Sequence, residues 1–281
     1  MKLGIIRGYN EDAFRYTKEH GLDFIEVCTN FDNETRAFID AKDETKKLID
    51  KYELPILSVG RWNSEPIKEG KINREVVASL KEQIAAAGGH LDFGVLGNKA
   101  VFNALGMCGE VRTALELIKN PTFPSYKHWI DMGANTLWEC WNGLGSRNHH
   151  MFSDVSAFFY KYIGGISADD DMPAYEHIIL RPAVGCGIEK VHCSVETPYG
   201  KAISDFENDG KTLRLSLTVP SGSHATLFLP MYLDDAFAGA AHTPFVEKLT
   251  ASGNAVRFTP CDMPEIKADL PSGKYTFTAK I

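Results

Sequence analysis

The feature that most constrains this chain is a change in hydrophobic period along its length. Between Leu3 and Val59, short apolar runs alternate with segments of helical period; between His177 and Val219, apolar residues recur at nearly every second position. Side chains repeat every 3.6 residues on a helix and every two on a strand, so the two patterns belong to different layers. The chain therefore divides by type, with parallel strand–helix units first, helices in the middle and antiparallel strands at the end.

In the first part, residues 3–7 form a strand, and Asn10 is placed to cap a helix over 11–20 that Gly21 ends. Residues 22–28 and 54–59 read as two more strands, separated by a helix over 33–52. Strands alternating with helices imply parallel units with right-handed crossovers. A helix over 73–87 carries Val76, Val77, Leu80, Ile84 and Ala87 on one stripe and stops at Gly88-Gly89. Short helices follow at 99–106, 111–119 and 125–132, then an aromatic-rich helix at 152–166. Residues 167–173, with Asp169-Asp170-Asp171, read as an acidic linker. Beyond it, strands are expected at 177–180, 191–196, 202–208, 213–219, 225–229 and 274–281, with a hairpin turn at Asn208-Asp209-Gly210-Lys211. Leu213, Leu215, Leu217 and Val219 alternate with Arg214, Ser216 and Thr218, which suits one buried and one wet face of a small sandwich.

A net charge of −7 and the lack of any Lys/Arg-rich run argue against a nucleic-acid partner. No apolar stretch is long enough to cross a membrane, and the N-terminus lacks a signal-peptide pattern, so a cytoplasmic location is expected. The cysteines at 28, 108, 140, 186, 193 and 261 include no Cys-x-x-Cys pair and read as reduced core or near-core thiols. No Gly-rich phosphate loop or Gly-x-Ser-x-Gly elbow appears, and no cofactor or metal is expected.

The stretch richest in chemistry is Thr136-Leu137-Trp138-Glu139-Cys140-Trp141, followed by Ser146-Arg147-Asn148-His149-His150. A carboxylate between two indoles suits carbohydrate chemistry, because flat apolar rings stack on sugars and a carboxyl group moves protons. Trp138 and Trp141 stack on a sugar or pack in the core; three residues apart, they share a face only if the chain turns after Glu139. His149 and His150 are candidates to hydrogen-bond sugar hydroxyls, and His90 is either a further sugar contact or a loop histidine.

Residues 88–281 resemble the end of the α-L-rhamnosidase catalytic barrel and its C-terminal β-sandwich. The resemblance is carried by Gly89-His90-Leu91-Asp92-Phe93-Gly94-Val95-Leu96-Gly97, by Pro124-Ser125-Tyr126 and by Gly133 through Trp141. It continues through Asn148-His149-His150-Met151-Phe152 and Glu196-Thr197-Pro198-Tyr199-Gly200. It implies an inverting glycoside hydrolase acting on terminal α-L-rhamnosides, with Glu139 as general base and Trp138, Trp141, His149, His150 and His90 toward the sugar. Inverting sites hold two carboxyl groups roughly 6.5–9.5 Å apart, with a water between base and sugar. The acid-bearing segment of that family has no counterpart here; Glu65, Glu69, Glu75 and Glu82 do not resemble it. Hydrolysis is therefore expected to be weak or absent.

Residues 1 to about 85 resemble instead the start of a xylose-isomerase-like TIM barrel of the sugar-phosphate isomerase/epimerase type. Lys2-Leu3-Gly4-Ile5, Gly21 through Val27 and Ser58-Val59-Gly60-Arg61-Trp62-Asn63 carry the likeness, and Glu26 reads as a structural or solvated carboxylate. The expected fold class is mixed α and β: partial TIM-barrel βα units over 1–87, a partial α/α-barrel helical segment over 88–168 and an antiparallel β-sandwich over 174–281. A chimeric fusion of two carbohydrate-enzyme genes would produce this order. The alternatives to a hydrolase fragment are a non-catalytic carbohydrate-binding module and an isomerase remnant. The expected partner is a small carbohydrate, a rhamnoside. Uncovered apolar faces, including Phe158, Phe159 and Tyr162, and an open strand edge suggest self-association, with the sandwich as the most stable part.

Overall fold

The computed structural model describes residues 3–29, 32–61, 67–68, 71–90, 95–232, 243–252, 256–261 and 265–281. The chain forms two compact units, Met1–Ala78 and Ser79–Ile281. Trp62, Asn63, Glu65, Glu69 and residues 91–94, all named above, lie outside the described residues.

The first unit holds a parallel three-stranded sheet in the order β1 (Gly4–Arg7), β2 (Phe24–Thr29), β3 (Ile56–Arg61). Helix α1 (Glu11–Glu19) starts where expected: the Asn10 side chain accepts the Ala13 N–H at 3.0 Å. The helix expected over 33–52 is two helices, α2 (Asp32–Asp40) and α3 (Lys42–Tyr52). Ala41 has ψ of 13°, yet its N–H still bonds Ala37 and its carbonyl still accepts from Thr45, so the break is a bend rather than a loop. Phe14, Ile25, Val27 and Leu54 form the core of this unit, with Leu48, Ile49 and Tyr52 packed against them. The strands at its two edges expose Ile6 (54%), Leu57 (60%) and Val59 (50%). Glu26 is half-buried on the central strand. A two-stranded hairpin, β4 (Ile67–Lys68) with β5 (Lys71–Ile72), precedes α4 (Arg74–Ala86), which begins at the Asn73 cap and ends at Gly88-Gly89.

The second unit opens with the greater part of α4 and continues with α5 (Val95–Met107), α6 (Val111–Lys119) and α7 (Tyr126–Asp131). The single aromatic helix expected over 152–166 is three pieces: a 3-10 turn (His150–Phe152), α8 (Asp154–Phe158) and a π turn (Phe159–Ile163). Phe158, expected to be uncovered, is buried against Phe102 and Tyr162; Phe159 remains exposed, and Tyr162 is half-buried with its hydroxyl donating to Asn103. The expected acidic linker begins as a strand, β6 (Ile166–Ala168). The carboxylate of Asp169 then takes the Asp171 N–H and the His177 ring, contacts that hold it below the usual carboxylate range.

Two five-stranded sheets face each other. One runs β12 (Leu249–Ser252), β15 (Gly273–Lys280), β10 (Thr212–Val219), β9 (Gly200–Asn208), β8 (Lys190–Thr197), antiparallel throughout. The other runs β13 (Thr259–Pro260), β14 (Glu265–Leu270), β11 (His224–Pro230), β7 (His177–Leu180), β6. It is not purely antiparallel, as the sequence suggested, because β7 and β11 pair in parallel. A short helix, α9 (Phe245–Lys248), inserts Phe245 into the core. Leu213, Leu215, Leu217 and Val219 point inward as their alternation requires, and Asp209 Oδ1 closes the expected hairpin by accepting the Lys211 and Thr212 N–H groups. Helices and sheets of this unit share one hydrophobic core, in which Phe102, Leu117 and Trp129 join Phe206, Leu227 and Phe277.

Candidate active site

The site is a two-armed loop following α7. The Ser125 hydroxyl caps that helix, accepting the His128 N–H at 2.9 Å, and Gly133 ends it at φ 83°. The chain then runs out through Thr136–Glu139, turns between Cys140 and Gly143 with a 2.9 Å hydrogen bond, and returns through Ser146 to His149. The arms are laced together: Glu139 N–H donates to Ser146 O at 2.8 Å, and His149 N–H to Leu137 O at 2.8 Å. The Thr136 hydroxyl donates to the Arg147 carbonyl.

Glu139 is half-buried in this loop, and its Oε2 accepts the Ser146 N–H at 2.9 Å. Gly145, at φ 82°, lies directly against the carboxylate; a Cβ there would sit 2.6 Å from Glu139 Oε2. Gly143, at φ 71°, does the same for Trp138, whose ring a Cβ would meet at 2.8 Å. Two glycines in left-handed conformations thus let the return arm fold tightly over the acid and the indole.

A turn after Glu139 was the condition for Trp138 and Trp141 to share a face, and the turn is present. Both rings pack against Trp129, at centroid distances of 5.6 and 4.5 Å. Trp138 is 7% exposed, its other neighbour being the Arg147 guanidinium 4.8 Å from the ring centroid. Trp141 is half-buried against Phe152 at 4.5 Å, and its carbonyl accepts the Trp129 indole N–H at 2.8 Å. Trp129, Trp138, Trp141 and Phe152 therefore form one aromatic cluster. His149 is half-buried and His150 exposed, their rings 6.0 Å apart and nearly parallel. Cys140, expected near the core, is exposed at the tip of the turn, and no disulfide joins any of the six cysteines.

His90 is not part of this loop. It sits against the connection from α6 to α7, with Nε2 3.4 Å from the Thr122 hydroxyl and a buried Nδ1 that has no partner among the described residues. A cavity of about 410 Å³ near this connection is lined by Ile84, Gly89, Thr113, Leu117, Asn120 and Pro121, and by none of the loop residues. Glu75 and Glu82 are exposed on α4. Among the described residues, no three His, Cys, Asp or Glu side chains are grouped to hold a metal ion. Sequence reasoning gave no role to Ser146, Arg147, Gly143 or Gly145. The signal for the glycines was their spacing, two positions apart and just beyond Trp141-Asn142.

Residues 65–163 match the model of the bacterial alpha-L-rhamnosidase 6 hairpin glycosidase domain, and residues 165–238 that of the bacterial alpha-L-rhamnosidase C-terminal domain. Residues 65–238 thus carry the six-hairpin glycosidase and C-terminal domains of the bacterial alpha-L-rhamnosidase family. An alpha-L-rhamnosidase of Formosa agariphila is 30% identical over 162 residues, 54% of this chain and 17% of the relative. One from an Alteromonas species is 25% identical over 259 residues, 88% of this chain and 27% of the relative. The chain thus spans well under a third of the length of these rhamnosidases. Among solved structures, the alpha-L-rhamnosidase of Streptomyces avermitilis complexed with L-rhamnose superposes with a TM-score of 0.62 and 19% identity, covering 97% of this chain and 26% of that one. The alpha-L-rhamnosidase from Dictyoglumus thermophilum gives a TM-score of 0.64 at 21% identity, covering 96% and 30%. The rhamnosidase domains thus comprise a helical glycosidase region and the sandwich; no helix among the described residues is long and apolar enough to cross a membrane.

Proposed function

We propose that the loop over 136–150 is the general-base half of an inverting rhamnosidase site, taking a terminal α-L-rhamnoside, with Glu139 activating water. The observation that carries this reading is the placement of Glu139. One oxygen accepts the Ser146 N–H, the residue is half-buried, and its neighbour Trp138 packs into the indole cluster. Among the described residues no cation pairs with Glu139, so the base is oriented without being neutralised, which suits water activation. Trp138 and Trp141 act through the aromatic cluster they form with Trp129, and His149 and His150 are the proposed contacts to sugar hydroxyls. His90 serves a separate role on the α6–α7 connection.

The second carboxyl group of an inverting pair has no candidate in this loop. Losing general-acid help lowers a rate typically about 10²–10⁴-fold. Slow turnover is therefore the expected behaviour. We attribute the likeness of residues 1 to about 85 to an isomerase barrel to a fusion of two genes, a reading under which they supply no group to this chemistry.

The test is release of the aryl group from an aryl α-L-rhamnoside at high protein concentration, beside Glu139→Gln. Slow release that disappears in the variant is the expected result. Equal release by both proteins, or none from either, overturns the hydrolytic reading.

A further inference from the structure

Pro124-Ser125-Tyr126 was singled out by the sequence and has no part in the reading above. In the structure, Tyr126 packs against Trp141 in the turn of the Glu139 loop and against Phe152 just beyond its return arm. Asn98 on α5 is fully buried and its Nδ2 donates to the Tyr126 hydroxyl at 2.8 Å. That hydroxyl donates in turn to the backbone carbonyl of Phe152 at 2.8 Å. Burial pushes the phenol well above its usual acidity range, so it remains a donor at any working pH. The ring meets the edge of Trp141 at 5.3 Å and 84°, and that of Phe152 at 6.4 Å and 82°.

Trp141 lies two residues after Glu139, and Phe152 closes the 3-10 turn that begins at His150. One phenol therefore touches the segment that carries the carboxylate and the segment that carries the histidines. Packing alone would need only the ring. The hydroxyl adds a directional relay, Asn98 to Tyr126 to the Phe152 carbonyl, inside an apolar core where a polar group is costly unless paired. The relay fixes the His150–Phe152 turn to α5 while the ring edge fixes Trp141.

We propose that Tyr126 is a positioning residue for the sugar site, setting the separation of Glu139 from the His149–His150 pair, with Asn98 orienting its hydroxyl. This rests on the reading of the loop as a rhamnose site. It assigns Tyr126 no contact with sugar.

Tyr126→Phe tests it, because the ring stays and only the relay is lost. L-Rhamnose is titrated against indole fluorescence, near-ultraviolet circular dichroism reads the mutual orientation of the indoles, and thermal unfolding is recorded. The expected result is about tenfold weaker rhamnose binding, the effect of losing one buried hydrogen bond at the site. An altered near-ultraviolet signal from the Trp129–Trp141 pair should accompany it.

The variant also strands the Asn98 amide and lowers the melting temperature. The double variant Asn98→Leu/Tyr126→Phe removes that stranded donor and should regain stability without regaining binding. Leu215→Ala, in the sandwich core, should lower stability while binding rhamnose like the wild type below its own melt. Wild-type binding and an unchanged near-ultraviolet signal in Tyr126→Phe, or restored binding in the double variant, would overturn the proposal. A wild-type chain that binds no rhamnose overturns the functional reading as well, so the two failures are told apart.

Discussion

The sandwich and the N-terminal sheet are built from strands of similar length and composition, but they treat their side chains differently. On β10, Leu213, Leu215, Leu217 and Val219 are all buried between two sheets. On β3, Leu57 and Val59 are at least half exposed. The difference is one of cover. A sandwich supplies each sheet with the other as its lid, whereas a parallel sheet needs layers on both faces and neighbours at both edges. Among the described residues of the first unit, Ile25, Val27 and Thr29 on one face of the central strand are buried, and both flanking strands are edges. Apolar residues in a strand are thus no guarantee of a core; the topology around the strand decides.

The largest effect expected from this contrast is in stability. Leu215→Ala should cost about 2–5 kcal/mol, as for other fully buried leucines. Leu57→Ala should stay within about 0.5 kcal/mol, as for exposed positions. Urea unfolding followed by circular dichroism measures both, and equal losses would remove the distinction. Next comes the loop: Gly145→Ala places a methyl against the Glu139 carboxylate in a left-handed conformation and should cost about 1–3 kcal/mol of local strain. The readout is the thermal melt together with turnover of the aryl rhamnoside, which should fall with it. The edge comes third. The full chain should elute above monomer mass, and Val59→Lys should shift it toward the monomer, because an edge charge opposes strand addition. Light scattering during gel filtration checks this, and identical masses for both proteins would break the edge explanation.

The smallest effect concerns pH. Burial raises the Glu265 carboxyl above its usual range, partly offset by the Arg181 guanidinium at 3.1 Å. The folded state then holds this proton more tightly than the unfolded state does. The group's contribution to stability is therefore present at low pH and is lost as pH rises from the ordinary carboxylate range through the raised value. Glu265→Gln should flatten that slope in unfolding curves taken between acidic and neutral pH, and an unchanged slope would show that another group is responsible.

Much of the architecture was legible because period and caps are local. Asn10 and Asn73 each cap the helix they precede, and the strands at 177–180, 191–196 and 213–219 appear within about a residue of their expected limits. What was not legible depends on packing. The break at Ala41 keeps the helical hydrogen bonds, so no residue there signals it. The aromatic helix splits where Tyr162 must lie over Gly106, a contact set by another element. β14 alternates Ile266, Ala268 and Leu270 inward, a signal present in the sequence and obscured by its charged neighbours. In the site, the position of Glu139 between two tryptophans was readable from the sequence. The orientation of its two tryptophans was not, because it hangs on the turn at Cys140–Gly143 and on the buried Trp129 beneath them.

The most direct test of the rhamnose site is nitrogen-15 NMR of the indole N–H groups during titration with L-rhamnose, with D-glucose as control. The predicted result is a saturable shift of the Trp138 and Trp141 signals with rhamnose alone, weakened in Glu139→Gln. No shift, or the same shift with D-glucose, would contradict a rhamnose site built on Glu139.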